Sequence, residues 1–304
     1  MDIRKLDVFR KVVELKSFTK AAEAALLWQP TVSEHIRNLE EELGMKLVDR
    51  LGRETEPTPA GRVLYQHAVR MVQLQQEALQ AIARFNGTLS GEVRIGASTI
   101  PGAYILPRLL ASFCRQYPEV RPLVEISDSK TTGARILAGT FDLGLVGAIW
   151  NERGLLWTAL FTDPLVVAVP PDHPLTALSA VPLDELRRHP FLLREQGSGT
   201  RKVVARLLEQ QGQREADLRE TATLGSNEAV REAVKAGLGI AVLSARSVAQ
   251  DVQAGTLVAV PLEEAAAERP IYLIQRKNRE PAPVAAAFLD HLRAAADQEP
   301  LPTP

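Results

Sequence analysis

The apolar residues of this chain recur at two different periods, and the change near residue 90 limits the folds open to it more than any single motif. From Leu6 to Phe85 they return every three or four residues, the spacing of amphipathic helices with one inward face. From Glu92 onward, short apolar runs such as Val93-Arg94-Ile95-Gly96-Ala97 and Leu165-Val166-Val167-Ala168-Val169 alternate with helical stretches. Strand-helix-strand units of this length imply a parallel sheet covered on both faces. A chain of 304 residues has room for two or three units with cores of their own.

Within the helical part, Leu6, Phe9, Val12, Val13 and Leu15 mark a first helix ending near Lys16-Ser17, and Phe18 to Leu43 read as two more. In the last of them Val32, Ile36, Leu39 and Leu43 form one inward stripe, preceded by Gln29-Pro30 as its start and followed by Gly44 as a left-handed cap. At about 100° per residue, Pro30, Glu34, Arg37 and Asn38 then point outward, with Gln29, Thr31, Ser33 and His35 beside them. These are short polar and charged groups able to reach base edges and phosphates. An ordinary amphipathic helix pair would show the same periodicity.

Ala21-Ala22, Leu26, Gln29-Pro30, Val32-Ser33, Ile36, Leu39-Glu40 and Leu43-Gly44 resemble the signature of the LysR-type transcriptional regulators. The resemblance implies DNA binding through an N-terminal winged helix-turn-helix. Two positions depart from the family pattern: Trp28 stands where a small polar residue is common, and Val48 where phenylalanine is common.

Behind the helices, Met45 to Arg50 and Glu54 to Pro57 read as two short strands around Leu51-Gly52-Arg53, a wing with Arg50 and Arg53 near its tip as further DNA contacts. A solvated basic turn is the plainer reading of that segment. Mean charge does not argue for DNA, since residues 1 to 62 carry eleven Lys and Arg against eleven Asp and Glu. Attraction must come from local placement, with Glu40, Glu41 and Glu42 turned elsewhere. Thr58 caps a long helix that starts at Pro59, and in it Leu64, Ala68, Met71, Gln75, Ala78, Ile82 and Phe85 form a heptad seam for a second copy of the chain. Asn86 to Gly91 break it.

The second half reads as two α/β lobes joined by two crossings, near Phe161-Thr162-Asp163 and from Pro261 to Arg269, with a cleft between them. In the resembling family this region is periplasmic-binding-protein-like and holds an inducer. Strand ends feeding helix N-termini should line the cleft, where open N–H groups favour anions. The candidates are Ser98, Thr99 and Ile100 after the first strand, and Gln196, Gly197, Ser198, Gly199, Thr200 and Arg201 in the second lobe, with Ser129, Gly147 and Ser226 on the rim. Such a hydroxyl-rich, glycine-rich pocket with one cation favours a small anion or carboxylate.

The expected fold is thus an N-terminal all-α winged helix-turn-helix (1–60), a dimerising linker helix (59–86), a hinge (87–91) and a two-lobed α/β effector domain (92–298). Lobe I takes about 92–162 and 268–296, and lobe II about 163–267. The start lacks a signal peptide's apolar core and no run approaches the roughly 18 apolar residues that span a bilayer. Together they imply a cytoplasmic protein with no membrane contact. One cysteine, Cys114, excludes an internal disulfide and reads as a core residue. The five histidines show no metal-ligand spacing and no nucleophile motif stands beside them, so no cofactor and no catalysis are expected. The expected partners are double-stranded DNA, a small-molecule inducer and a second copy of the chain, with a homotetramer and RNA polymerase as further candidates. The alternative is a solute-binding or enzymatic α/β module with an N-terminal interaction arm.

Overall fold

The computed structural model describes residues 1–49, 55–85, 89–150, 152–263 and 268–298. Arg50 and Arg53 at the wing tip, and residues 86–88 of the hinge, lie outside the described residues. The chain divides into two compact units, one carrying the N-terminal helices together with residues 138–140 and the other the rest of the chain from the first long strand onward.

In the first unit, α1 (Ile3–Leu15), α2 (Phe18–Ala25) and α3 (Gln29–Leu43) enclose a core of Leu6, Phe9, Val12, Phe18, Ala21, Val32, Ile36 and Leu39. Asp2 and Ser17 cap the first two helices through their side chains. Gly44 ends α3 at φ 69°. The inward stripe is shorter than its period suggested, because Leu43 and Leu15 sit at helix ends past the edge of the core and are more than a third exposed. The wing strands are shorter too, β1 (Val48–Asp49) pairing antiparallel with β2 (Glu56–Pro57).

Of the three acids expected to turn away from the face, Glu40 instead turns inward. It is buried, and its carboxylate accepts from Lys46 Nζ at 2.6 Å and from the Leu47 and Val48 amides at 3.0 and 3.5 Å. Burial opposes its ionisation, but these hydrogen bonds outweigh that and hold the carboxyl below the usual range. Glu40 thereby fixes the first wing strand to α3.

The long helix α4 (Pro59–Phe85) starts where Thr58 Oγ1 accepts from the Gly61 amide at 3.0 Å and donates to Lys46 O at 2.8 Å. A Cβ on Gly61 would lie 1.9 Å from Leu47 O, so only glycine lets α4 pass the wing. Along α4 the seam divides. Leu64, Ala68 and Val72 pack into the core of their own unit, whereas Met71, Leu74, Ala78, Leu79 and Ile82 face solvent.

In the second unit the first lobe is built on β3 (Gly91–Ser98), β4 (Val120–Ser127) and β5 (Leu143–Val146), with β3 parallel to both neighbours. The helices α5 (Leu106–Gln116), α6 (Ser129–Ala138) and α11 (Pro283–Gln298) belong to this lobe, and α5 follows one π-helical turn at Pro101–Ile105. The all-parallel expectation fails at β6 (Leu155–Val169) and β11 (Glu268–Arg276). β11 runs antiparallel to β5, and β6 antiparallel to β11. β6 is one strand of 15 residues: Leu155 to Pro164 pair with β11, and Leu165 to Ala168 with β9 (Ala241–Ser244) of the second lobe. The crossing near Phe161-Thr162-Asp163 is therefore part of one continuous strand. The second lobe adds α7 (Leu183–Leu186), β7 (Pro190–Arg194), α8 (Gly199–Gln210), β8 (Arg219–Leu224), α9 (Asn227–Lys235), α10 (Ala245–Gln253) and β10 (Val258–Pro261). β10 pairs antiparallel with β6, and β7 parallel with β8. Each lobe has its own core, around Ile95, Phe113, Leu143 and Phe288 in one and Val167, Phe191, Leu207 and Val242 in the other. Cys114 is half-buried beside the first of these.

Candidate functional site

Two surfaces gather the chemically capable residues. On α3, Gln29, Pro30, Glu34 and Arg37 are exposed, and Thr31, Ser33, His35 and Asn38 are half-buried beside them. Gln29 Nε2 donates to Ser33 Oγ at 3.3 Å, which pre-positions both side chains. Arg37 stands 3.6 Å from Glu41 in an exposed pair too weak to hold it. A hollow bounded by Pro30, Ser33, Glu34 and Arg37 continues onto Lys46 and Asp49 at the root of the wing. Lys46 is the cation on this face that periodicity did not find, since it lies past the end of the helix.

The second surface is a narrow cleft between the two lobes, with about 20 Å³ of internal space. Of the expected residues, Ser98, Thr99, Ile100, Ser129, Ser198, Gly199 and Thr200 line it. Gln196, Gly197, Gly147, Ser226 and Arg201 are not in its lining. Arg201 turns away: its guanidinium holds Glu215 at 2.5 Å and donates to Arg194 O at 2.6 Å, so it is not the cation of the pocket. Ser226 caps α9 by accepting from the Ala229 amide at 3.0 Å. Gly147 backs onto Arg269, its amide donating to Ser98 Oγ at 3.1 Å.

The lining also holds Arg194 and Glu195, at the start of the glycine-rich segment, and Asn227, which the sequence offers beside Ser226 as a weaker rim candidate; sequence reasoning missed Asp128 and Arg269. Arg269 is 2% exposed and lies opposite Asp163 where β11 and β6 cross between lobes. Its Nε donates to Asp163 Oδ2 at 2.8 Å and its Nη1 to Thr200 Oγ1 at 2.8 Å, which ties the crossing to the first turn of α8. Ser244 Oγ donates to the other Asp163 oxygen at 2.6 Å. Arg194 is matched by Glu195 through two bonds of 2.8 Å and donates to Asn227 Oδ1. Both cations thus have carboxylate partners already.

Three buried donors do not. Ser129 Oγ, Asn227 Nδ2 and Arg269 Nη2 have no hydrogen-bond partner among the described residues. Arg269 Nη2 lies 2.8 Å from Asp163 Oδ2, yet its N–H bonds are not aligned on that oxygen. Leaving such groups unmet costs about 1–3 kcal/mol each.

The lobes meet along the same segment. A Cβ on Gly197 would fall 2.7 Å from the Asp128 carboxyl carbon, and one on Gly199 would fall 3.0 Å from Ser129 Oγ. One turn further, Lys202 Nζ sits 4.1 Å over the Trp150 ring and donates to Ile149 O. Burial pushes the Lys202 ammonium pKa down.

The histidines are less scattered than their spacing suggested. His173 is half-buried and packs on His189 at 4.8 Å between ring centroids. His291 Nε2 meets Ser112 Oγ at 2.8 Å, but that hydroxyl donates to Leu109 O, so the pair ties α11 to α5 and is no nucleophile. Among the described residues no group of His, Cys, Asp and Glu could hold a metal ion, and no helix is long and apolar enough to cross a membrane.

Residues 3–62 match the bacterial regulatory helix-turn-helix protein family of lysR type, and residues 86–297 match the LysR substrate binding domain. The RuBisCO operon transcriptional regulator of Allochromatium vinosum is 32% identical over 297 residues, 97% of each chain. The crystal structure of CbnR, a LysR family transcriptional regulator, shares the fold at a TM-score of 0.70 and 23% identity, covering 97% of this chain and 99% of that one. The regulatory domain of CcmR from Synechocystis, solved in complex with 2-PG, is 30% identical at a TM-score of 0.64 and covers 69% of this chain and 100% of that one. A DNA-binding head followed by a two-lobed ligand domain along one chain identifies it: the protein belongs to the LysR family of transcriptional regulators, and it is a ligand-responsive DNA-binding regulator rather than an enzyme.

Proposed function

We propose that the cleft between the lobes takes a small oxyanion and that its binding changes how a dimer of this chain engages DNA. The observation that carries this reading is the set of unmet donors, Ser129 Oγ, Asn227 Nδ2 and Arg269 Nη2, around the narrow cleft. Groups that can only donate, or donate best, call for acceptor oxygens on the ligand. The helix starts at Ser129, Gly199 and Asn227 add open N–H groups and the positive ends of their dipoles. With Arg194 and Arg269 already paired, the ligand joins charge networks that exist rather than meeting bare cations. The 2-PG bound by CcmR makes that compound the first probe, with inorganic phosphate and sulfate beside it.

On DNA, α3 enters the major groove with Gln29, Pro30, Thr31, Ser33, Glu34, His35, Arg37 and Asn38 toward bases and phosphates. Glu34 suits the exocyclic amine of cytosine. The exposed stripe of Met71, Leu74, Ala78 and Ile82 on α4 is covered by a second copy, which sets two heads on two half-sites.

Thermal shift of the full chain tests the ligand. Millimolar 2-PG or phosphate should raise the melting temperature. Ser129→Ala removes one unmet donor, so it should leave the free protein as stable or slightly more so while weakening the ligand about tenfold. No shift with any of the three oxyanions would contradict the reading.

A further inference from the structure

We propose that Trp28 is a DNA contact, at a position where the resembling family commonly has a small polar residue. Its indole packs on the sugar-phosphate backbone at the mouth of the major groove, and Nε1–H donates to a phosphate. The proposal rests on the reading of α3 as the groove helix.

The turn from α2 to α3 breaks local rules twice. Leu26 sits in the left-handed region at φ 53°, where a branched-chain side chain is strained, and it is 93% exposed. Trp28 is the N-cap of α3, the position where Ser, Thr, Asp or Asn would satisfy a free amide, and it makes no side-chain cap bond. It is 83% exposed. Among the described large apolar residues no others stand as far into solvent as these two, and only Leu27 between them packs inward. A sequence that gives up a cap and a relaxed turn with no gain inside the molecule marks a site whose gain lies outside it.

Three observations make DNA the occupant. Trp28 directly precedes Gln29 and Pro30, so it is continuous with the DNA-reading face. In a helix-turn-helix the N-terminal end of the second helix comes nearest the duplex, and the residue before it stands over the flanking backbone. The head also carries no net positive charge over residues 1–62, and Glu34 and Asp49 lie on its face. Affinity here needs a contribution that is not ionic. An indole supplies apolar area together with one donor and no charge.

The test uses the full chain, a labelled fragment of the DNA flanking its own gene, and anisotropy titrations across a potassium chloride series. Trp28→Ala and Trp28→Ser should each weaken binding about tenfold while leaving the slope of log K against log salt unchanged. Arg37→Ala should weaken binding and reduce that slope by about one. Trp28→Ser restores the missing cap, so its melting temperature should rise by about 2–4 °C even as affinity falls, which separates lost contact from lost fold. Wild-type affinity in both Trp28 variants beside a weakened Arg37→Ala overturns the proposal alone, and points to a protein partner for the exposed turn. Wild-type affinity in all three overturns the groove reading of α3 with it.

Discussion

Gly197 and Gly199 show how one missing methyl group can decide a conformation. Neither has a positive φ, so alanine is free to adopt either backbone and acts by bulk alone. At Gly197 the new Cβ would stand 2.7 Å from both Cγ and Oδ1 of Asp128. Asp128 has little room to yield, because its carboxylate accepts from the Thr131 amide at 2.9 Å and from the Thr131 hydroxyl at 2.6 Å. Gly197→Ala should therefore wedge the lobes apart and lower oxyanion affinity about tenfold or more, with DNA binding in the absence of ligand unchanged. Calorimetric titration and anisotropy check the two halves; full ligand affinity in this variant would show that the cleft closes elsewhere. The sequence reads this glycine-rich segment as ligand-binding throughout, whereas in the structure part of it lines the cleft and part of it faces the other lobe. Period and composition cannot say which side of a loop faces a ligand and which faces the other lobe. Arg201 failed for a related reason: its natural partner, Glu215, lies beyond the helix that Arg201 begins.

At the scale of elements, α3 was legible because a stripe, a start and a glycine stop agree on one helix. β6 was not. Thr162-Asp163-Pro164 interrupts the apolar run, and proline seldom sits inside a sheet, so nothing local marks one continuous strand. Here Pro164 lies opposite Glu268 at the very start of β11, and Asp163 is buried against Arg269. A polar pair inside a strand looks like a break in one dimension and like a joint in three. For α4, the expected seam mixed two faces. Leu64 and Ala68 serve their own core, and Leu74 and Leu79 join the stripe that faces outward. Leu74 is 66% exposed, so Leu74→Glu should leave the fold intact while placing like charges on both sides of a pairing seam. On the proposed pairing, light scattering coupled to gel filtration should then give a dimer for the wild type and a monomer for the variant. An unchanged mass would move the dimer contact off this helix.

The whole molecule joins a reader of DNA to a sensor of small molecules on one chain, and its sequence showed both units far better than it showed the sensor's chemistry. The head and the lobes are written in periods of many residues, so they survive as pattern. The cleft draws on Ser98, Asp128, Arg194, Asn227 and Arg269, five positions spread over both lobes that no local spacing connects. What links sensor to reader must be a difference in ligand affinity between two arrangements of the molecule, typically about 1–3 kcal/mol. Nuclease footprinting of the full chain on the DNA flanking its own gene, with and without the oxyanion that binds best, measures that link directly. The protected region should change at saturating ligand in the wild type and stay fixed in Gly197→Ala. A footprint that the ligand leaves unchanged in the wild type would contradict the switch.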